Sequence, residues 1–583
     1  MSMSTAATSE SNIRSRQFRS IGVPSLLSAI VLWASFPPLG LSGLAWLAPL
    51  GWLAVIDRIS PPTRLGYFFI WLSGAAFWLL ALQGIRLAFF PLTFGWIALS
   101  LYLAVYIPLF VGISRVLLFR GRVPLIIAAP IAWVGMELIR GYVITGFSAC
   151  LLAHTQVEFP MVLQIADMFG GYGVSFVIMM VSVGLYQLAM WERLLGRLLV
   201  KQLSAPRPVN SRQIFCAGIV LLATLFYGWW RLGESDKLAR LAQPLLRVAL
   251  IQENAPSIFD NPSVERDVDF WNNYLAATRE AGRAHTDLDL VIWPESVFSL
   301  DHQSWLEIDV GDPLPDRLSK RGFSSADLHE LKRRAQQQFH YKAARVLSAC
   351  HGTELLSPEQ VSKLARPHLL LGGSIGVIGS ATDSQRNTAL FVGPDTHILD
   401  RYEKVHLVMF GEYIPWRPLL GFLGDLFGFV STDAGNEPKS FEVSGVRLAP
   451  SICFESVLPH FLSWQLRVLR GQAKSPDILV NITNDSWFRG SSILDHHLAC
   501  SVLATIEHRR PILIAANCGL SAWIDGAGRL QAVSPRLVHH VILATPHRDS
   551  RWGLYQWLGD TPAWLCAVIS IAAIVATRFG RKS

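Results

Sequence analysis

The chain has 583 residues, 51% of them hydrophobic and only 16% charged, with a formal net charge of +8. Soluble domains carry about a quarter charged residues, so this composition excludes a wholly soluble protein and predicts a membrane part joined to a soluble part. The charge also argues against nucleic-acid binding: residues 1–233 hold 16 Lys and Arg against 6 Asp and Glu, and three more basic residues close the chain, while the rest is net acidic.

The first residues, "MSMSTAATSESNIRSRQFRS", are polar, and no small-residue cleavage site follows the first apolar run. That pattern predicts an uncleaved first span. Apolar runs close to the roughly 20 residues that cross a bilayer then fall at about 22–40, 41–57, 66–85, 90–114, 123–139, 172–191 and 213–231, with a last one at about 561–577. The first two share the joint "FPPLGLSG" and read equally as a tight hairpin. Lys and Arg near span ends mark the cytoplasmic side. They cluster in alternate connections: Arg14, Arg16 and Arg19; Arg58 and Arg64; Arg115, Arg120 and Arg122; Arg193, Arg197, Lys201, Arg207 and Arg212; then Arg578, Arg581 and Lys582. The other connections hold only Arg86 and Arg140. This alternation requires eight spans with both termini inside and the soluble domain outside the cytoplasm. The expected division is a tail at 1–21, seven spans within 22–233, a catalytic domain at 234–553, and a final span with its tail at 554–583.

In the soluble part, short β-rich runs recur: "LLRVALIQ", "DLDLVIWPES", "HLLLGGSIGV", "TALFVGPDTHILDRYEK", "VRLAPSICFES", "DILVNITND", "PILIAANCGLSAWIDGAGRL" and "HHVILATPH". Helical patterns separate several of them, as at 263–284 and 495–510, which predicts an α/β domain. Such domains place reactive groups at strand ends. Three ends carry suitable chemistry: Glu295 in "VIWPES", Lys404 in "RYEKVHLVMFGEYIPW" and Cys453 in "APSICFES". A thiol with a pKa of about 8.5 is mostly protonated at neutral pH. A carboxylate in a partly dry site can take its proton, and an ammonium can stabilise the resulting oxyanion. The set is complete for acyl transfer through a thioester. Taken singly, each residue has an ordinary explanation: a cysteine in an apolar strand is core, a glutamate after "WP" can cap a helix, and a lysine is normally solvated.

The blocks "WPES", "EKVHLVMFGEYIP", "SICFES" and "NITNDSWF" decide between these explanations, because together they resemble the signature blocks of the apolipoprotein N-acyltransferase family. The resemblance extends to "ELIRGYVITGFSACLLAHTQVEFP" and to "EHRRPILIAANCGLSAWIDGAGRL". It implies a polytopic helical membrane domain of eight spans plus a nitrilase-like αββα sandwich, with a triad of Glu295, Lys404 and Cys453. It also implies transfer of a fatty acyl chain from a glycerophospholipid, through a Cys453 thioester, to the N-terminal amine of the diacylglyceryl-cysteine of apolipoproteins. Glu295 would be the base, and Lys404 with the backbone N–H of Phe454 would hold the oxyanion. Glu412 and Glu455 match further carboxylates of the family site and would orient Lys404 or the amine. Asn387 and Asn484 match the pattern near the site, although a turn or strand-end asparagine reads slightly better from type alone. The family often has an aromatic residue near the place of Asn261, beside Phe259.

The resemblance places the chain in a bacterial inner membrane as a multi-pass protein, catalytic domain on the periplasmic side, with phospholipid donor and apolipoprotein acceptor as partners. A monomer is expected, with no cofactor and no metal: adjacent His496 and His497 point in different directions, and no third ligand is suitably spaced. A thioester must be shielded from water, so mobile apolar loops are expected over the site at 408–430 and 485–495. A membrane-anchored nitrilase-type amidase would use the same triad but needs only one span. A receptor with a decayed site would not need the triad intact. The long charged segment 300–367 has no assigned role from sequence.

Overall fold

The computed structural model describes residues 15, 17–88, 90–191, 210–255, 264–299, 304–310, 314–361, 363–380, 382–416, 421 and 432–579. Asn261, Phe259 and most of the expected loop 408–430 lie outside the described residues. So do Arg14, Arg16, Arg193, Arg197, Lys201, Arg207, Arg581 and Lys582. The chain divides into two compact units. One comprises Met1–Lys237, Ser491–Arg509 and Arg551–Ser583, and the other comprises Leu238–Gly490 and Arg510–Ser550. Residues 491–509, expected in the soluble domain, thus cluster with the helical unit.

In the helical unit, a helix occupies each of the eight expected places. Five stretches are long and apolar enough to cross a membrane: Phe18–Ser35, Arg64–Ala81, Leu92–Phe119, Ala166–Met190 and Ser211–Leu241. The apolar helical stretches Ser42–Ile56 and Thr561–Ala576 are shorter, and Leu125–Arg140 has 16 residues. Local chemistry sets the ends. Thr63 accepts from the Gly66 N–H at 3.2 Å and caps the helix that follows. The buried Arg115 guanidinium gathers the carbonyls of Ile56 and Arg58, each at 2.7 Å, at the end of the helix Leu50–Ile56. Helices Leu125–Arg140 and Thr561–Phe579 approach closely at Gly135, where a Cβ would stand 2.7 Å from Ser570 Oγ and 2.9 Å from the Cys566 carbonyl.

An ion cluster ties this unit together. Asp167 Oδ2 accepts from Arg231 Nη2 at 2.6 Å and from Arg509 Nη2 at 2.5 Å, and Tyr227 donates to Oδ1 at 2.8 Å. Arg509 also donates to Gln164 Oε1 at 2.8 Å. His496 is buried in the same unit, its ring 5.7 Å from that of Phe36.

The second unit contains thirteen strands among its described residues: β1 Val248–Gln252, β2 Leu290–Trp293, β3 Trp305–Asp309, β4 His368–Gly379, β5 Asp383–Val392, β6 Ile398–Glu403, β7 Phe441–Val443, β8 Val446–Ile452, β9 Ile478–Thr483, β10 Ile512–Ala516, β11 Ala522–Ile524, β12 Leu530–Val533 and β13 His540–Ala544. One sheet runs β13-β1-β2-β4-β5-β6, with β3 also on β4, and the other runs β12-β11-β10-β9-β8-β7. In the first sheet β1, β2 and β4 are parallel, and in the second β8, β9 and β10 are parallel.

The sandwich follows from strands that are apolar on both faces. Along β1, Val248 and Leu250 join a core shared with Ile452, Val480 and Leu513 of the other sheet, whereas Ala249 and Ile251 join a second core with Trp271 and Tyr274 of the helix Val264–Ala284. Strand β2 divides in the same way, with Leu290 and Ile292 between the sheets and Val291 and Trp293 under the helices. Side chains alternate with period two, and a strand covered on both sides reads as a continuous apolar run. The charged segment 300–367 supplies the helix Ser325–Cys350. Ser324 and Asp327 cap it reciprocally, and Phe339, Ala343, Val346 and Leu347 are buried in the outer core. On the far side, the helix Pro459–Gly471 covers β8, where Gln465 donates to the Pro450 carbonyl at 2.7 Å.

Candidate active site

The parallel strands β2, β8 and β9 and the antiparallel β6 deliver the site residues from their carboxyl ends. Glu295 lies two residues past β2, Lys404 directly follows β6, Cys453 directly follows β8 and Asn484 directly follows β9. All belong to the second unit. Gly372 of β4 lies against the Glu295 turn, where a Cβ would meet the Pro294 carbonyl at 2.2 Å and Glu295 Cα at 2.6 Å.

Lys404 is 1% exposed, and its Nζ donates to Glu412 Oε1 at 2.9 Å and Glu295 Oε1 at 3.3 Å. Asn387 Nδ2 donates to the same two oxygens, at 2.7 Å for Glu295 and 3.0 Å for Glu412. One ammonium and one amide therefore bridge two carboxylates. The second oxygen of each accepts from backbone: Asn484 N–H to Glu295 Oε2 at 2.9 Å, and Val408 N–H to Glu412 Oε2 at 2.9 Å. Burial works against the charge on Lys404, but Glu295 and Glu412 outweigh it and hold the ammonium well above its usual range. Burial alone would raise the Glu412 carboxyl, yet Lys404, the Val408 N–H and Asn387 bring it below the ordinary value.

Cys453 stands at φ +53°, in the left-handed region that non-glycine residues rarely adopt. It is held there by Asn481 Nδ2 and Ser456 Oγ, each donating to its carbonyl at 3.2 Å. This sharp turn follows directly on the strand, so Cys453 stands at the carboxyl end of β8. Burial, and then the Glu295 carboxylate, hold the thiol well above its usual pKa, with Lys404 opposing them. These surroundings favour the thiol over the thiolate.

Glu455 is fully buried and serves the backbone. It accepts from Tyr402 OH at 2.8 Å, from the Val405 and His406 N–H groups at 2.8 and 2.9 Å, and from the Ile452 N–H at 2.7 Å. It fixes both the turn carrying Lys404 and the residue before Cys453. Burial lifts its carboxyl to about 7. Asn387 and Asn484, which match the family pattern but on residue type alone read slightly better as turn or strand-end residues, both touch the site. Asn387 does so through its side chain. Asn484 does so through its backbone, while its Oδ1 accepts from Asn517 Nδ2 at 3.0 Å. Sequence type does not reveal a backbone role. A clue to Asn387 lay in the pairing of its strand with β6, which brings it near Lys404: the Lys404 N–H donates to its carbonyl at 2.9 Å.

Of the expected loops, residues 485–495 form a turn at Asp485–Phe488 and the start of the helix Ile493–His508. Among the described residues no group of three or more His, Cys, Asp or Glu is arranged to hold a metal ion.

Residues 28–184 match the family described as apolipoprotein N-acyltransferase N-terminal domain, and residues 247–550 match the family described as carbon-nitrogen hydrolase. The chain is 32% identical to the apolipoprotein N-acyltransferase of Rhodopirellula baltica over 96% of this chain and 98% of that one. It is 29% identical to the apolipoprotein N-acyltransferase of Geobacter metallireducens over 96% of this chain and 95% of that one.

Proposed function

The chain belongs to the apolipoprotein N-acyltransferase family, and we propose that Cys453, Glu295 and Lys404 carry its N-acylation of lipoproteins in two half-reactions. In the first, Cys453 Sγ attacks an acyl ester of a glycerophospholipid as Glu295 takes the thiol proton. The carbonyl oxygen becomes an oxyanion held by Lys404 Nζ and the Phe454 N–H. The C–O bond then breaks, Glu295 returns the proton to the departing lysophospholipid alkoxide, and the acyl chain remains as a thioester. In the second, the α-amine of a diacylglyceryl-cysteine attacks the thioester carbonyl and Glu295 accepts the amine proton. The same two donors hold the second oxyanion. The C–S bond breaks, an amide forms and the sulfur regains its proton.

The observation that carries this reading is the shared contact of Lys404 Nζ with Glu295 and Glu412, set beside a thiol on which both Glu295 and Lys404 act. Lys404 stays charged throughout, so it can stabilise an oxyanion without itself moving a proton. Asn387, Glu412 and Glu455 are positioning residues in this scheme. Both substrates are anchored in lipid, and extracting an acyl chain into water costs about 0.8 kcal/mol per CH₂. The helical unit supports an enzyme that works at the bilayer instead. We place it in a bacterial inner membrane, as a monomer with eight spans and the catalytic unit on the periplasmic side, because basic residues cluster in alternate connections.

The test is intact-protein mass spectrometry of the full chain after incubation with phospholipid. An added acyl mass that hydroxylamine removes, and that is absent from Cys453→Ser, is expected. Adding a diacylglyceryl-cysteine peptide should move that mass to the peptide. Release of free fatty acid with no transfer to the amine would favour a hydrolase instead.

A further inference from the structure

Thr483 has no part in the scheme above, yet it stands beside the nucleophile. Strands β8 and β9 run parallel with Ile452 opposite Ile482, so Cys453 and Thr483 leave adjacent strands side by side. Thr483 is wholly buried. Its Oγ1 donates to Asp485 Oδ1 at 3.1 Å, and its position beside the sulfur lowers the Cys453 thiol's pKa against the larger effects that raise it. A hydroxyl has one proton to give, and here two acceptors compete for it: Asp485 Oδ1, and the sulfur once it is a thiolate.

We propose that Thr483 is a positioning residue for the nucleophile: its hydroxyl proton rests on Asp485 and turns to the Cys453 sulfur when Glu295 takes the thiol proton. The proton balance is simple. The S–H bond breaks and its proton passes to Glu295. The Thr483 O–H bond stays intact and only rotates, so Asp485 gives up one donor as the thiolate gains one. When the sulfur acylates, it loses its charge and the hydroxyl returns to Asp485. The groups that act on the sulfur then have opposed effects. Glu295 after β2 and Asp485 after β9 disfavour the thiolate, whereas Lys404 after β6 and Thr483 favour it.

This inference rests on Cys453 being the acyl-accepting residue, and the experiment separates the two claims. The full-length protein in detergent is alkylated with iodoacetamide for a fixed time from pH 6 to pH 10, and the midpoint, the pH at which half of the Cys453 peptide is modified, is read by mass spectrometry. Thr483→Val is isosteric and removes the hydroxyl. It should slow alkylation at neutral pH by about tenfold, the lower end of what one hydrogen bond to a charged group is worth, and move the midpoint to higher pH. Thr483→Ser should restore both. Asp485→Asn removes a charge that opposes the thiolate and weakens the competing acceptor, so it should move the midpoint to lower pH. Opposite shifts are the signature, because a loss of packing alone would not produce them. Equal midpoints in wild type and Thr483→Val, or shifts of the same sign in the Val and Asn variants, would overturn the proposal. If Thr483→Val does not fold, Asp485→Asn decides alone: an unchanged or raised midpoint overturns it. Unshifted midpoints alongside a normal acyl adduct in wild type would remove only the role of Thr483. Absence of that adduct in wild type would remove the acyl-enzyme reading beneath it.

Discussion

Replacing Asn387 with Ala tests how the two carboxylates are held together. Its amide donates at 2.7 Å to Glu295 and at 3.0 Å to Glu412, the same two oxygens that Lys404 contacts at 3.3 and 2.9 Å. Hydrogen bonds to charged groups contribute roughly 1.5–3 kcal/mol each. Lys404 remains as a bridge in the variant, so the loss should be nearer one such bond than two, about 2 kcal/mol in the transition state. That corresponds to about thirtyfold in kcat/KM. The pH dependence has a definite sign. Asn387 is one of the groups that pull the Glu412 carboxyl below its ordinary value. Without it the carboxyl rises, and the acid limb of the rate profile should move to higher pH. The assay is acyl transfer to a diacylglyceryl-cysteine peptide from pH 4 to pH 9, with folding checked by thermal melt. A variant with the wild-type rate and an unmoved acid limb would refute the bridging role.

Three further outcomes follow from the packing. Gly372→Ala places a methyl group 2.2 Å from the Pro294 carbonyl and 2.6 Å from Glu295 Cα, so Glu295 must shift. A displacement of about 1 Å can lower kcat by roughly a hundredfold, measurable with circular dichroism unchanged. Glu455→Gln leaves at least one of the Ile452, Val405 and His406 N–H groups facing a donor, a loss of roughly 1–3 kcal/mol that should lower the melting temperature. The folded-state value of Glu455, about 7, lies above the ordinary 4.5. Wild type therefore loses stability as pH rises through that window, and the variant's deficit should be larger at pH 5 than at pH 8. Asp167→Asn leaves Arg231 and Arg509 buried without their shared carboxylate. Removing one partner of a buried pair costs roughly 3–5 kcal/mol, so thermal unfolding in detergent should occur at distinctly lower temperature.

Much of the local structure could be read along the chain, because it depends on neighbours in sequence. Apolar runs of a length near the bilayer's mark helices, and a helix stands at each place so marked. The runs ending in Glu295, Lys404 and Cys453 are strands for the same reason: β-branched apolar residues bounded by turn formers. The charged segment 300–367 was harder to interpret. Its buried face is spread at helical spacing among Arg, Lys and Gln, and only packing on the sheet reveals that face as part of the core. Residues 491–509 could not be assigned to the helical unit from sequence, since Arg509 finds Asp167 across 342 positions.

What the sequence fixes by itself is therefore the set of elements and the residue types at their ends, because period, propensity and hydrophobic length are local properties. Tertiary structure alone decided that one ammonium and one amide bridge Glu295 and Glu412, that Glu455 serves two turns, that Asn484 acts through its backbone, and that Thr483 lies beside Cys453. Those relations depend on distances between strands far apart in the chain. Such distances are set by the pairing of whole sheets and by the need to satisfy buried charge, which no short stretch of sequence contains.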